Sequence, residues 1–402
     1  MINRNVAEDL SSNFRVYHGK LYAALLNQFG IAYVDDIEDV IQNTLLKAMR
    51  IWKPHDTPQK KENWLFIVAK NEMVNLINST NRKNDLLHKK MNPGDTETTL
   101  EDLRLNTILF IATQSKLSRK AKVLLVLKNI FGLHVHEISN ATLISEEAVH
   151  KLINRTKKKL INTVSHRSMD NLSALIDNTT KDTVEEILYA VFTIGFDSFD
   201  KKKNSVVNDD LCLESISLTK LLLETCGHVS TQNLLALLCF HTSRLPAKVN
   251  NGQLVSFADQ KREHWNKELL NMAFHFLKEP KELHPFYLEA LIISRHMSAN
   301  ELNREHWQSI VTLYKLWTSI SNSPLIRLNM AYSLYMAGDA IKANELIESI
   351  KHQLPANHTY LSLVRAEMIK QESIQDYRSM VQTIIDGMDH ELRKEYLKKA
   401  LK

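Results

Sequence analysis

An all-α fold is what this 402-residue sequence predicts, on two compositional facts and one pattern. Only nine Gly and eight Pro interrupt it, and alternating runs rich in β-branched residues are few. Apolar residues return throughout at three- and four-residue spacing. The length suits two to four domains, each able to bury its own core. The net charge of +5 is mild, but positive charge gathers between Lys116 and Lys159, which suits a nucleic-acid partner. Cys212, Cys226 and Cys239 sit in apolar helical stretches without a paired framework and point to a reducing compartment. With no N-terminal leader pattern and no apolar run long enough to span a bilayer, a cytoplasmic protein with no membrane partner is expected.

Taken in order, Phe14 to Phe29 forms an amphipathic helix ended by Gly30. Asp35 to Trp52 follows, capped by Asp35 or Asp36, with Ile37, Val40, Ile41, Thr44, Leu45, Ala48 and Trp52 as its packing face. Its other face presents Asp36, Glu38, Asp39 and Gln42, and on physical grounds alone such a row is ordinarily just solvated. After an irregular stretch holding Pro54 and Pro58, Asn63 is a candidate cap for a helix in which Trp64, Leu65, Val68, Ala69 and Leu76 pack. Lys70, Asn71, Asn75, Asn78, Arg82 and Lys83 lie off that stripe and suit phosphate and base contacts.

MNPGDTETT within Lys83 to Thr99 is a poor helix former and reads as a linker. Asp102 to Ala112 returns to helical spacing, and Ser118 caps a helix that runs to Ile130 and stops at Gly132. Arg119 and Lys120 in its first turn oppose the helix dipole, so they are read as placed for an external anion such as phosphate. Glu137 to Ala141 gives a short helix and Thr142 to Ser145 a turn. A longer helix capped by Ser145 then packs Ala148, Val149, Leu152, Ile153, Thr156 and Leu160. Glu147, His150, Lys151, Asn154, Arg155 and Lys158 are its candidate DNA contacts. The plain reading of Lys157, Lys158 and Lys159 is that they complement the C-terminal end of the dipole. Helices in this order make a helix-turn-helix unit, whose last helix can enter a major groove.

At this point a resemblance becomes specific. Asp36, Glu38, Asp39 and Gln42, then Ala48, then Trp64 to Asn71, resemble region 2 of extracytoplasmic-function sigma factors. Glu137-Ile138-Ser139, Leu143-Ile144-Ser145 and Val149 to Arg155 resemble their region 4. The resemblance implies that the acidic row docks on core RNA polymerase, that the Trp64 helix reads and melts the minus-ten element of promoter DNA, and that the helix-turn-helix binds the minus-thirty-five element. It also implies a division into region 2 (1–83), a linker (84–101), region 4 (102–165), a second linker (166–181) and an extension (182–402).

The extension is a succession of apolar helices, including Ile187 to Phe199, Leu211 to Leu223, Asn233 to Thr242, His264 to Leu277, Phe286 to Met297 and His306 to Ile320. Ala331, Gly338 and Ala343 fall at the small-residue positions of a tetratricopeptide unit. Stretches at Ala258 to Trp265, Pro285 to Ile292 and His306 to Ala331 resemble a sigma factor subgroup with such a C-terminal domain, and this implies a protein or peptide partner. Departures from that pattern are Glu289 where glutamine is common, the lack of a cysteine near Ala112 to Gln114, and few basic residues in Met73 to Asn81. Asp259, Gln260, Arg262 and Trp265 form either an internal polar lock, with Arg262 paired to Asp259, or part of a ligand or partner groove.

No P-loop, H-E-x-x-H, dinucleotide loop or C-x-x-C pair is present, so no enzyme, no cofactor and no metal is expected. The resulting expectation is an alternative-type sigma factor regulated by its own C-terminal helical domain. The competing readings are a helix-turn-helix regulator that does not act as a sigma factor, and a helical-repeat interaction scaffold.

Overall fold

The structure, a computed structural model, describes residues 4–52, 57–83, 100–142, 144–163, 176–197, 206–355, 358–388 and 390–401, with side chains described from Arg15 in the first of these and to Ser79 in the second. It is all-α apart from one two-stranded hairpin among those residues. The chain divides into two compact units, Met1–Val191 and Phe192–Lys402.

In the first unit, α1 (Arg4–Phe29) is followed by a 3-10 turn (Ile31–Tyr33), α2 (Val34–Ile51) and α3 (Lys61–Lys83). α1 begins well before the expected Phe14. Leu21, Tyr22, Leu25 and Leu26 of α1 close over Ile37 and Ile41 of α2 and Leu65 and Met73 of α3, all at most 1% exposed. Asp35 and Asp36 lie in the first turn of α2, where negative charge meets the positive end of the dipole, although Tyr33 holds the cap position. Asn63 is not a cap, because α3 starts two residues earlier. Its Oδ1 accepts instead from the Leu100 backbone N–H at 3.1 Å, which ties the end of the first linker to α3.

Then come α4 (Arg104–Ala112), α5 (Arg119–Asn129), α6 (Val135–Thr142) and α7 (Glu146–Thr163). Both predicted serine caps are present: Ser118 Oγ accepts from Ala121 N and Ser145 Oγ from Ala148 N, each at 3.3 Å. Ala148, expected in the packing stripe of α7, is exposed, whereas Val149, Ile153, Thr156 and Leu160 are buried as expected. The two halves of this unit are packed together, not merely joined by a linker. At Gly19 of α1, an added Cβ would lie 2.0 Å from the Ile130 carbonyl oxygen at the end of α5, so only glycine permits the approach.

α8 (Asn178–Phe196) starts inside the stretch expected to be the second linker, because Asp177 caps it by accepting from Thr180 N at 2.7 Å. It runs across the boundary between the units.

The second unit continues with α9 (Asp209–Cys226), α10 (Val229–Ser243) and the single turn α11 (Leu245–Lys248). Strands β1 (Val249–Asn250) and β2 (Gln253–Leu254) then pair antiparallel. Asn251 and Gly252, at φ 48° and 73°, make the hairpin turn, whose positive angles suit this Asn-Gly pair. α12 (Lys267–Phe276), α13 (Pro285–Ser298), α14 (Arg304–Ile320), α15 (Pro324–Met336), α16 (Ala340–Ile350), α17 (Thr359–Ile369), α18 (Ile374–Asp386) and α19 (Glu391–Ala400) complete it. One core runs from Leu288 through Trp307, Ile310, Leu328 and Ala343 to Met368, and a smaller one joins Tyr377, Val381, Ile385 and Leu397. α19 returns to the start of this unit: Arg393 bonds Asp197 at 2.8 Å, and Lys399 bonds Gln253.

Candidate functional site

α7 has two chemically distinct sides. Glu147, His150, Lys151, Asn154, Arg155 and Lys158 are all exposed, a polar surface of one carboxylate, one imidazole, one amide and three cations. Lys151 Nζ reaches back to Glu147 at 2.5 Å, an exposed pair that steadies the first turns of the helix and adds only a few tenths of a kcal/mol, roughly. Cations beside an amide on an exposed helix face can bond phosphates and the edges of bases.

Lys157 belongs to the opposite side. It is 5% exposed, and its ammonium bonds Glu38 Oε2 at 2.7 Å and Asp35 Oδ1 at 3.2 Å, both on α2. The three-lysine run is therefore split: Lys158 and Lys159 face solvent, and Lys157 is an internal cation. Glu38, expected on a merely solvated row, has a partner 119 residues away. Asp39 and Gln42 remain exposed on that row. Asp36 is half-buried, and burial together with Asp35 and Asp39 raises its carboxyl above the usual range.

A second ion pair crosses the same unit. Arg15 Nη2 lies 2.6 Å from Glu137 Oε1, and Glu137 is 3% exposed. The other oxygen of Glu137 accepts from His134 N at 2.8 Å, capping α6, so one buried carboxylate both starts that helix and holds α1. Next to Arg15 on α1, His18 is lowered to about 4 by burial and by the nearby Lys128 charge. Tyr22 is pushed well up by burial and by Glu38.

Arg119 and Lys120 separate in a way their sequence did not foretell. Lys120 is exposed, whereas the Arg119 guanidinium donates to the Asp182 carbonyl at 2.8 Å and pairs with Glu186, both on α8. On α3, Asn71, Asn75 and Asn78 are exposed and Lys70 is half-buried, while the side chains of Arg82 and Lys83 lie outside the described residues.

In the second unit, Asp259 bonds Ser256 at 2.6 Å and Arg262 bonds the Ala299 carbonyl, so the expected pairing of Asp259 with Arg262 is not formed. Part of a lock exists with different partners. Arg244 Nε donates to Gln260 Oε1 at 3.2 Å, Arg244 lies 4.2 Å from the centroid of Phe257, and Phe257 stacks on the buried Trp265. The missing member was Arg244, which sits at the end of an apolar helix and carries no local motif.

Residues 14–83 match the family described as Sigma-70 region 2, and residues 181–281 match a family of unknown function, DUF6596. An uncharacterized protein of Rhizobium meliloti (strain 1021) is 25% identical over 364 residues, covering 87% of this chain and 84% of that protein. The ECF RNA polymerase sigma factor SigG of Mycobacterium tuberculosis is 22% identical over 218 residues, 48% of this chain and 57% of that protein. No solved structure matches. These likenesses support a sigma-70 family protein. Among the described residues, no helix is long and apolar enough to cross a membrane.

Proposed function

We propose that this chain is a sigma factor that binds core RNA polymerase, directs it to specific promoters, and is regulated by its own C-terminal helical extension. One observation carries the reading: a Sigma-70 region 2 match is followed, in the same chain, by the serine-capped helix α7 with its exposed polar face. In this reading Asp36, Glu38, Asp39 and Gln42 dock on the polymerase. Lys70, Asn71, Asn75 and Asn78 approach the minus-ten element, with Arg82 and Lys83 extending the same helix. On α7, the row from Glu147 to Lys158 lies along the minus-thirty-five element, its cations on phosphates and Asn154 at a base edge.

Regulation by the extension is supported by Arg119, because its Nε and Nη2 already bond α8 and compete with a phosphate for the same guanidinium. Helical repeats of tetratricopeptide type suit a protein or peptide partner, and the extension is read as that kind of surface. Run-off transcription with purified core enzyme, on templates selected for binding to this chain, tests the whole reading. A chain-dependent, promoter-specific transcript is expected. No transcript together with no complex with core enzyme overturns it.

A further inference from the structure

We propose that the contact between α2 and α7 is a self-made mask: Lys157 occupies Glu38 and Asp35, and the first unit must open there before the acidic row of α2 can dock. This rests on the reading of that row as the polymerase-binding face.

The geometry is specific at both ends of the contact. Lys157 meets Glu38 and Asp35 at 2.7 and 3.2 Å, and Arg15 meets Glu137 at 2.6 Å across 122 residues of sequence. A third contact, the close approach of Gly19 to Ile130, joins the same two halves. Each anchor joins one element from before the first linker to one from after it.

An internal ammonium on one oxygen of Glu38 and one of Asp35 offsets the negative charge that the row offers a partner's cation, and α7 stands where that partner would have to approach Glu38. The polar cross-links also lend themselves to reversal. A buried lysine leaving an apolar pocket would gain only hydration, whereas Lys157 leaving Glu38 exchanges one set of charge-assisted bonds for solvent or for a partner's groups. Meanwhile Asp39 and Gln42 remain exposed beside the pair, so an incoming surface has a place to begin. If binding requires the open form, the apparent affinity falls in proportion to the fraction open, and removing the anchor restores it.

The test uses the full chain. Spin labels on Asn27→Cys and Asn162→Cys, in a Cys226→Ser background, report the distance between α1 and α7. Unlabelled proteins give the dissociation constant for core polymerase. Lys157→Gln and, separately, Arg15→Gln should lengthen the distance and tighten polymerase binding by about fivefold or more. Lys157→Arg, which keeps the charge, should resemble the native chain in both measurements. Using both lesions guards against a single variant that fails to fold.

An unchanged distance in both glutamine variants overturns the proposal, because the ion pairs then do not hold the halves. A longer distance with unchanged affinity overturns the mask while leaving the docking row intact. Absence of polymerase binding by native and variant chains alike sinks the docking reading itself, and the mask with it.

Discussion

Lys157 and Lys158 are consecutive on α7 and face opposite environments: one is buried against Glu38 and the other is exposed to solvent. The turn of about 100° per residue in an α-helix is enough to do this. A charge run that looks uniform in sequence thus divides into one structural cation and one surface cation, which should respond differently to mutation.

On the surface side, Lys151→Ala and Arg155→Ala should each weaken binding to the upstream promoter element. A phosphate contact would lower affinity evenly over all sequences and reduce the salt slope by roughly one. A base contact would relax specificity at one position by about 1–3 kcal/mol. Fluorescence anisotropy at several salt concentrations separates the two, and no change in either quantity would place both side chains off the interface.

For the acidic row, Asp39→Lys combined with Gln42→Lys should abolish complex formation with core polymerase in a native gel. Both side chains are exposed and outside the Lys157 pair. The unfolding free energy should therefore move by about 0.5 kcal/mol or less. Glu38→Lys is a poorer probe, since it sets a cation against Lys157 and mixes a stability loss with any loss of docking. Undiminished binding by the folded double variant would remove the row from the interface.

Gly19→Ala should destabilise the first unit by about 1–3 kcal/mol, the usual cost of overpacking a site that cannot yield. The obstacle is backbone, the Ile130 carbonyl oxygen, and not the far end of a flexible side chain. Urea unfolding of the full chain, followed by a probe in this unit, measures it. A change within experimental error would mean that α1 and α5 do not approach so closely.

Three buried histidines make stability depend on pH. His241 is lowered to about 3 by burial and by Arg244 and Lys248, while His18 and His296 are each lowered to about 4, first by burial. With an unfolded value near 6.5, the unfolded chain binds protons that the folded chain does not, so stability is lost as pH falls from about 6.5 toward 4. Each such group contributes on the order of 1.4 kcal/mol per pH unit over that window. His241→Phe, next to Phe192 and Phe196, should flatten the dependence measured by unfolding at pH 7, 6 and 5. An unaltered slope would mean that His241 is protonated in the folded chain.

Local signals were legible where the physics is local. Ser118 and Ser145 announce α5 and α7 because a cap is satisfied within three residues of itself, and the buried stripe of α7 follows from helical spacing with Ala148 as the exception. The α8 start was present too, in Asp177 and Thr180, but hidden in a polar stretch that reads as linker. The Asn-Gly turn of the hairpin went unread, because strands of two residues are too short for any alternation to show. What could not be read were partners far apart in the sequence. Lys157 looked like a dipole cation and Glu38 like a solvated acid until the fold brought them together. Arg119 likewise had no visible reason to prefer α8 over an external anion.

Stacked helical arrays ordinarily behave as one-dimensional chains, in which each layer depends only on its neighbours and the outer layers fray first. The bond from Arg393 to Asp197 spans 196 residues, and Lys248 approaches the same carboxylate at 3.5 Å. That join turns a row into a loop. Peeling α19 away would also break the contact at the α8 end, so the two ends of the unit are expected to come loose together and not as independent fringes. The same join raises the mean sequence separation of its contacts, which slows folding relative to an open array of equal size. Partial proteolysis should accordingly yield either the intact unit or small fragments, without a ladder of shortened arrays.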